Sequence, residues 1–148
     1  MKMIKPEIVI VHCSATPDFK PSDSSFDKFG AEDIHQWHLQ RGFTKIGYTY
    51  VIRRTGEIQE GRKVDIINGL VEMGAHCRHQ NDKSIGICYI GTNNPTDQQL
   101  SSFIVLYQLI HQIFRIDRDF WFPHNAFNPN KTCPGFDLKS LKKMFLLP

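Results

Sequence analysis

The clearest element in this 148-residue sequence is a long amphipathic helix, predicted over residues 96–114. Thr96 is followed three residues later by Gln99, which is the spacing of a capping box at a helix start. The apolar residues behind it recur at helical spacing and form one face: Leu100, Phe103, Ile104, Tyr107, Ile110 and Phe114. Such a face must be buried against another layer, so the sequence predicts a layered domain.

Short segments rich in β-branched residues supply that other layer. Residues 7–12 (EIVIVH) and 84–90 (SIGICYI) are typical of buried strands. A further strand is predicted over residues 119–123, directly before His124. Strands mixed with helices predict an α/β fold in which helices flank a central mixed β-sheet.

The remaining segments predict smaller elements. Residues 48–54 and 57–60 flank a Thr-Gly pair and predict a β-hairpin. Residues 31–41 predict a helix that ends before a glycine, and Asp137 is predicted to cap a last helix. Residues 62–79 are left undecided, because two glycines interrupt what is otherwise a possible short helix.

The composition indicates an ordinary globular protein. A hydrophobic content of 41% excludes a disordered chain, and 148 residues predict one domain, residues 1–148. The formal net charge is +3 without a basic stripe, so we expect no nucleic-acid partner. No stretch approaches the roughly 20 apolar residues of a membrane span. The start of the chain lacks the apolar segment of a signal peptide, which predicts synthesis in the cytoplasm.

Three potential metal ligands follow predicted strands or lie in a late loop. His12 ends the first predicted strand, His124 follows a late one, and Cys133 lies 133 − 124 = 9 residues beyond. Two histidines and a thiolate, with a fourth position open, are typical of a catalytic zinc site. Lys131 and Tyr48 are placed to reach the same point. The spacing alone leaves a structural interpretation open, because strand-end histidines and proline-flanked cysteines commonly serve only in packing.

Four ordered blocks carry a resemblance to a known family: VHCSATP (11–17), IHQWHLQRGFTKIGYTYVIRRTGEIQEGR (34–62), GAHCRHQNDKSIGICYIG (74–91) and HNAFNPNKTCPGFDL (124–138). Together they resemble the zinc-dependent N-acetylmuramoyl-L-alanine amidases of type 2. Phage lysozymes of the amidase type and peptidoglycan recognition proteins belong to the same superfamily. The resemblance covers nearly the whole chain and implies the fold of that superfamily.

The resemblance implies an activity and a role for seven residues. The activity is hydrolysis of the amide between the lactyl group of N-acetylmuramic acid and the L-alanine of the peptidoglycan stem peptide. The roles are zinc ligands, one ion per chain, for His12, His124 and Cys133; catalysis for Tyr48 and Lys131; and substrate binding for His76 and Asn81. His35, on the predicted helix, is a further candidate for substrate binding, with a position on the helix surface as the alternative. A peptidoglycan or muropeptide substrate and a monomeric enzyme are expected.

Some positions depart from the family pattern or stay open. The segment between His124 and Lys131 is about one residue longer than usual, with Pro129 as the candidate insertion. Asn125 stands where a basic residue often follows the second histidine. Cys13 is predicted to face away from the site, because alternate residues of a strand point to opposite faces.

The substrate contacts and the biological setting also have alternatives. Arg53, Arg54 and Arg62 are candidates for binding stem-peptide carboxylates, or else line a solvated face. A non-catalytic recognition module is the alternative function, and its usual mark is loss of the cysteine ligand; Cys133 is present here. An enzyme without a signal peptide acts on the cell wall after release by a holin or secretion system, or recycles cell-wall fragments in the cytoplasm.

Overall fold

The computed structural model describes residues 1–146, which form two β-sheets and three α-helices in an α/β arrangement. The strands are β1 (Met3–Ile4), β2 (Ile8–Cys13), β3 (Tyr50–Ile52), β4 (Ile58–Glu60), β5 (Val64–Asp65), β6 (Leu70–Glu72), β7 (Ser84–Tyr89) and β8 (Trp121–Pro123). The helices are α1 (Ala31–Gln40), α2 (Asp97–Phe114) and α3 (Leu138–Met144), with short 3₁₀ turns at Arg118–Phe120 and His124–Ala126.

The larger sheet has the strand order β4-β3-β7-β2-β8. Strands β3, β7, β2 and β8 run parallel, and β4 pairs antiparallel with β3 through the predicted hairpin. The sheet is therefore mixed and lies between helices, as predicted. In the register of β2, His12 lies beside Cys88 of β7, and Val11 lies beside Pro123 of β8.

Helix α2 covers one face of this sheet. Val9, Val11, Ile85, Ile87 and Tyr89 point to this face and pack with the apolar side of the helix. The predicted capping box is confirmed: the backbone N–H of Gln99 donates to Thr96 Oγ1, and the N–H of Thr96 donates to Gln99 Oε1, both at 3.0 Å. The alternate residues of β2 and β7 are thereby directed to the opposite face.

Helix α1 covers part of that opposite face. Ile34 packs with Ile46, Val51, Cys88 and Ile90 in a second, smaller core. The helix ends at Gln40, and a following glycine takes the left-handed conformation that stops it. The rest of this face is left open beside α1, and the candidate site lies there.

The undecided segment 62–79 contains two short strands and no α-helix. Strands β5 and β6 pair antiparallel, and β6 also pairs with β1 to make the smaller sheet. Gly69 has φ +65, and the side chain of Asp65 accepts the N–H of Asn68, so a tight turn replaces the possible helix. The strand predicted over 119–123 is shorter than expected, because the side chain of Asp117 caps a 3₁₀ turn before it.

Residues 1–146 include no helix whose length and hydropathy would let it cross a membrane.

Candidate active site

The sheet topology brings the two predicted histidine ligands together. His12 lies at the carboxyl end of β2 and is 1% exposed. His124 is the first residue after β8, the parallel neighbour of β2. Because the carboxyl ends of parallel strands meet at one edge of a sheet, the two rings are adjacent, with centroids 4.4 Å apart.

The third predicted ligand, Cys133, comes from the loop before α3. The N–H of Asn125 donates to the carbonyl oxygen of Cys133 at 3.0 Å, which ties this loop to the turn that carries His124. The backbone N–H of Cys13 donates to Cys133 Sγ, also at 3.0 Å. Pro129, the candidate insertion, lies in an exposed turn.

The donor set fits a borderline-soft metal ion. The ligand atoms of His12, His124 and Cys133 all lie within 4.8 Å of one another. A tetrahedral zinc ion with ordinary bond lengths places its ligand atoms roughly 3.4–3.7 Å apart, so small side-chain adjustments suffice to close the site. Three protein donors also leave a fourth position open for water or substrate.

A hydrogen-bond chain fixes the tautomer of His12. Ser84 Oγ donates to the carbonyl oxygen of Gln80 at 2.6 Å and lies 3.2 Å from His76 Nε2. The hydroxyl proton is thus engaged, and Ser84 Oγ accepts from the Nε2–H of His76. His76 Nδ1 is then an acceptor and takes the Nε2–H of His12, 2.8 Å away. Nδ1 of His12 keeps its lone pair, as a metal ligand requires.

Gly86 on β7 makes room for the ring of His76. A Cβ atom at Gly86 would lie 2.6 Å from both Cγ and Cδ2 of His76. Asn81 holds the loop on the other side, because its Oδ1 accepts the N–H groups of His76 and Cys77 at 2.9 and 3.0 Å. The position of His76 is therefore set by its own loop and by the absence of a side chain on the neighbouring strand.

The histidines of the site are held neutral. Burial, followed by the nearby His76 and His124, lowers the pKa of His12 well below its usual value. Burial also lowers the pKa of His76 to about 3. For His124 the pKa is lowered by burial and then by the charge of Lys131. Neutral imidazoles are the form that binds metal ions.

Cys13 and Cys133 behave as a pair of thiols. The side-chain hydrogen bond between them lowers the pKa of Cys13 to about 7 and raises the pKa of Cys133. The pair therefore loses its first proton more readily than an ordinary thiol does. The N–H that Cys13 donates to Cys133 Sγ stabilises a thiolate at Cys133, the form that binds a metal ion. The side chain of Cys13 packs partly against the α2 core, but it also hydrogen-bonds to Cys133 and lines the same cavity as the candidate ligands, so the prediction that Cys13 faces away from the site was wrong.

Tyr48 and Lys131 flank the ligand cluster. The ring centroid of Tyr48 lies 5.1 Å from that of His12, and burial raises the pKa of its hydroxyl well above the usual value. Tyr48 is therefore protonated near neutral pH. Lys131 is exposed on the loop that carries Cys133.

Two histidines of α1 hold the segment that precedes Tyr48. Nδ1 of His35 accepts the N–H of Ile46 at 3.1 Å, and Nδ1 of His38 accepts the N–H of Gly47 at 2.9 Å. His38 is buried, and burial lowers its pKa to about 4. The sequence singled out His35 for the substrate, whereas the structure places His38 at the cavity wall and His35 outside the set of described residues that line it.

A cavity of about 520 Å³ opens over the cluster. It contains seven of the eight residues predicted for the site: His12, Tyr48, His76, Asn81, His124, Lys131 and Cys133. Arg41 and Arg78 also line it, although the sequence did not single them out. Both lie within the ordered blocks 34–62 and 74–91, but only the fold brings them to the same wall.

The arginines that the sequence did single out have internal partners. Arg54 is 3% exposed and donates to Gln99 Oε1 and to the carbonyl oxygens of Phe19, Ile90 and Asn94. Arg62 pairs with the buried Glu72 at 3.2 Å. Arg53 forms salt bridges with Asp27 and Glu57. These side chains stabilise the fold, and none is among the described residues that line the cavity.

Comparisons with known proteins agree with this geometry. The family model described as N-acetylmuramoyl-L-alanine amidase (Amidase_2) matches residues 2–136. The endolysin of Enterobacteria phage T3 is 33% identical over 141 residues, which cover 90% of this chain and 83% of the phage protein. A peptidoglycan-recognition protein of Drosophila melanogaster is 30% identical, over 95% of this chain and 75% of its own length.

Solved structures of an amidase and of a peptidoglycan-recognition protein have folds similar to this one. The endolysin amidase LysCS from Clostridium intestinale URNW superposes with a TM-score of 0.77 at 25% identity, covering 98% of this chain and 86% of that one. Drosophila PGRP-LB superposes with a TM-score of 0.71 at 31% identity, and the superposition covers 88% of this chain and 75% of PGRP-LB.

Proposed function

This chain belongs to the N-acetylmuramoyl-L-alanine amidase family, and from that premise we propose that it is a zinc-dependent enzyme acting on peptidoglycan. The bond cut is the amide between the lactyl group of N-acetylmuramic acid and the L-alanine of the stem peptide. The observation that carries the proposal is the convergence of His12, His124 and Cys133 within 4.8 Å at the floor of a cavity.

We assign one zinc ion per chain to Nδ1 of His12, a ring nitrogen of His124 and Sγ of Cys133. The tautomer of His12 supports the choice of Nδ1, because its Nε2 is occupied by the bond to His76. A zinc ion bound there would supply Lewis-acid activation of the scissile carbonyl and of the attacking water. With one thiolate ligand, Cys133, a bound zinc ion would leave the site with a net positive charge, which favours a developing oxyanion.

Tyr48 and Lys131 are the catalytic residues of the proposal. The carbonyl oxygen gains negative charge as water attacks, and the Tyr48 hydroxyl and the Lys131 ammonium stabilise that charge by hydrogen bonding. Burial keeps Tyr48 protonated, so we assign it the role of donor rather than proton acceptor. His76 and Asn81 form the wall against which the muropeptide lies.

The proposed setting follows from the phage relatives. Endolysins of phages T3 and T7 are about one-third identical to this chain over 90% of its length. We propose that this enzyme likewise acts on the cell wall, that it works as a monomer, and that nucleic acid is not a partner.

The test combines zinc content with cleavage. Purified protein is analysed for bound zinc, and release of stem peptide from peptidoglycan is followed with and without a chelator. We expect one zinc per chain, loss of cleavage on chelation and recovery on adding zinc. Cys133→Ser and His124→Gln should lose both zinc and cleavage. His111→Gln, a change of the same type on the exposed side of α2, should lose neither.

Two outcomes contradict the proposal in different ways. Stoichiometric zinc without cleavage would favour a recognition module that binds peptidoglycan without cutting it. If the purified protein carries no zinc and Cys133→Ser is as active as the wild type, the proposed metal site is refuted.

A further inference from the structure

The cavity over the ligand cluster is lined by three cationic side chains and by no carboxylate of the described residues. Arg41, Arg78 and Lys131 line it, and no aspartate or glutamate is among the described residues of its wall. None of these three cations takes part in a salt bridge within residues 1–146. A concave site lined by one sign of charge concentrates its field and attracts the opposite charge.

The three cations differ in their place relative to the metal ligands. Lys131 lies two residues before Cys133, and its charge acts on His124, so it belongs to the reaction centre. Arg41 and Arg78 come from other parts of the fold. Arg41 ends α1, and Arg78 lies in the turn before β7.

The backbones of both arginines are fixed. The N–H of Arg41 bonds back to the carbonyl oxygens of Trp37 and His38 at 3.2 and 3.1 Å. Beside Arg78, the N–H of Cys77 is held by Asn81 Oδ1 at 3.0 Å. Both arginines thus line the cavity from hydrogen-bonded segments of backbone, and both side chains are exposed to a ligand in it.

We propose that Arg41 and Arg78 form a carboxylate-binding subsite for the stem peptide, which makes the enzyme selective for muropeptides with a free carboxylate next to the cleaved L-alanine. The inference rests on the proposed function. Guanidinium groups bind carboxylates through paired hydrogen bonds. The second stem residue, an isoglutamyl unit, carries either a free α-carboxylate or a neutral carboxamide. It lies within about 7 Å of the scissile amide in an extended peptide, which is a reach that this cavity accommodates.

The test uses two synthetic N-acetylmuramoyl tripeptides that differ only at the second residue, D-isoglutamate in one and D-isoglutamine in the other. We expect kcat/KM of the wild type to be about 10-fold or more higher for the carboxylate substrate, and the ratio to fall with added salt. In Arg41→Gln/Arg78→Gln the ratio should drop to about one. Arg115→Gln, an exposed arginine at the end of α2, should keep the wild-type ratio.

Other results would overturn the subsite. The subsite is refuted if the wild type has the same kcat/KM for both tripeptides. It is also refuted if the double variant loses the same factor in kcat/KM on both. If the wild type cleaves neither tripeptide, the amidase function fails. The subsite is then judged by the Kd values of the two tripeptides from calorimetry: a preference for the carboxylate that disappears in the double variant supports it, and equal Kd values refute it.

Discussion

Nε2 of His12 and Nδ1 of His76 lie 2.8 Å apart and share a hydrogen bond that joins the carboxyl end of β2 to the loop before β7. Ser84 completes the chain and determines its direction. A histidine that ligates a metal through one nitrogen is commonly oriented by a partner on the other. His76 has that place beside His12, the proposed ligand, besides lining the cavity.

His76→Phe should weaken zinc binding about 10- to 100-fold, because the ring volume is kept while the acceptor for His12 is lost. The measurement is competition for zinc against a chromophoric chelator of known affinity, with far-UV circular dichroism to confirm the fold. Ser84→Ala should have a smaller effect, since the bond from His12 survives. An unchanged zinc affinity in His76→Phe would show that His12 is oriented by other contacts.

Gly86→Ala should resemble His76→Phe. The new Cβ would lie 2.6 Å from the ring of His76, and the strand cannot retreat because it pairs with both neighbours. We expect a loss of zinc affinity together with a fall in stability of about 1–3 kcal/mol from overpacking. Urea unfolding and chelator competition measure the two effects. Full zinc affinity in this variant would mean that the ring of His76 relocates without disturbing His12.

Tyr48→Phe should lower kcat about 100-fold, which is the usual effect of removing one oxyanion donor. Because burial raises the pKa of Tyr48 well above its usual value, the hydroxyl stays protonated throughout the neutral range. The shape of the kcat–pH profile between about pH 6 and pH 9 should therefore match that of the wild type. A variant that loses the basic limb of a bell-shaped profile, or that turns over as fast as the wild type, would contradict the donor role.

Glu72→Gln should destabilise the fold by about 3 kcal/mol, because it removes one partner from buried ion pairs. Glu72 is 3% exposed and contacts Lys45 at 2.8 Å and Arg62 at 3.2 Å. Burial raises the pKa of this carboxyl, but the bond from Lys45 and the neighbouring charges lower it further. A lowered pKa means that the stabilisation is present above the unfolded-state pKa and is lost as the pH falls through the folded-state pKa.

Urea unfolding over a pH series measures this effect. The difference between wild type and Glu72→Gln should be full near neutral pH and should shrink below the usual carboxyl range. Glu57→Gln is the matched control: its ion pair with Arg53 is exposed and should contribute no more than about 1 kcal/mol. A difference that stays constant down to acid pH would show that the charge of Glu72 does not stabilise the protein.

Local patterns in the sequence predicted most of the elements. The capping box at Thr96, the hairpin around Gly56 and the cap at Asp137 all have the expected form. Segment 62–79 gave no such pattern, because β5 and β6 are two- and three-residue strands that exist only through pairing with each other and with β1. Strands this short contain too few residues to show periodicity.

Some features of the candidate site were likewise predicted from the sequence, and others were seen only in the structure. The identities of His12, His124, Cys133, Tyr48 and Lys131 were available from the sequence through the ordered blocks that resemble a known family. The partners of Arg53, Arg54 and Arg62 were not, because an arginine next to a strand has the same pattern whether its head group meets solvent, a carboxylate or a carbonyl.

By itself, the sequence determined the α/β layers, the side chains that are candidates for binding a metal, and the reaction class. Only the tertiary structure decided that His76 orients His12, that His38 rather than His35 reaches the cavity, and that Arg41 and Arg78 share its wall. The physical reason is that side-chain chemistry is local and readable in the chain. Hydrogen-bond direction, tautomer and uncompensated charge instead depend on which distant residues the parallel strands bring to one edge of the sheet.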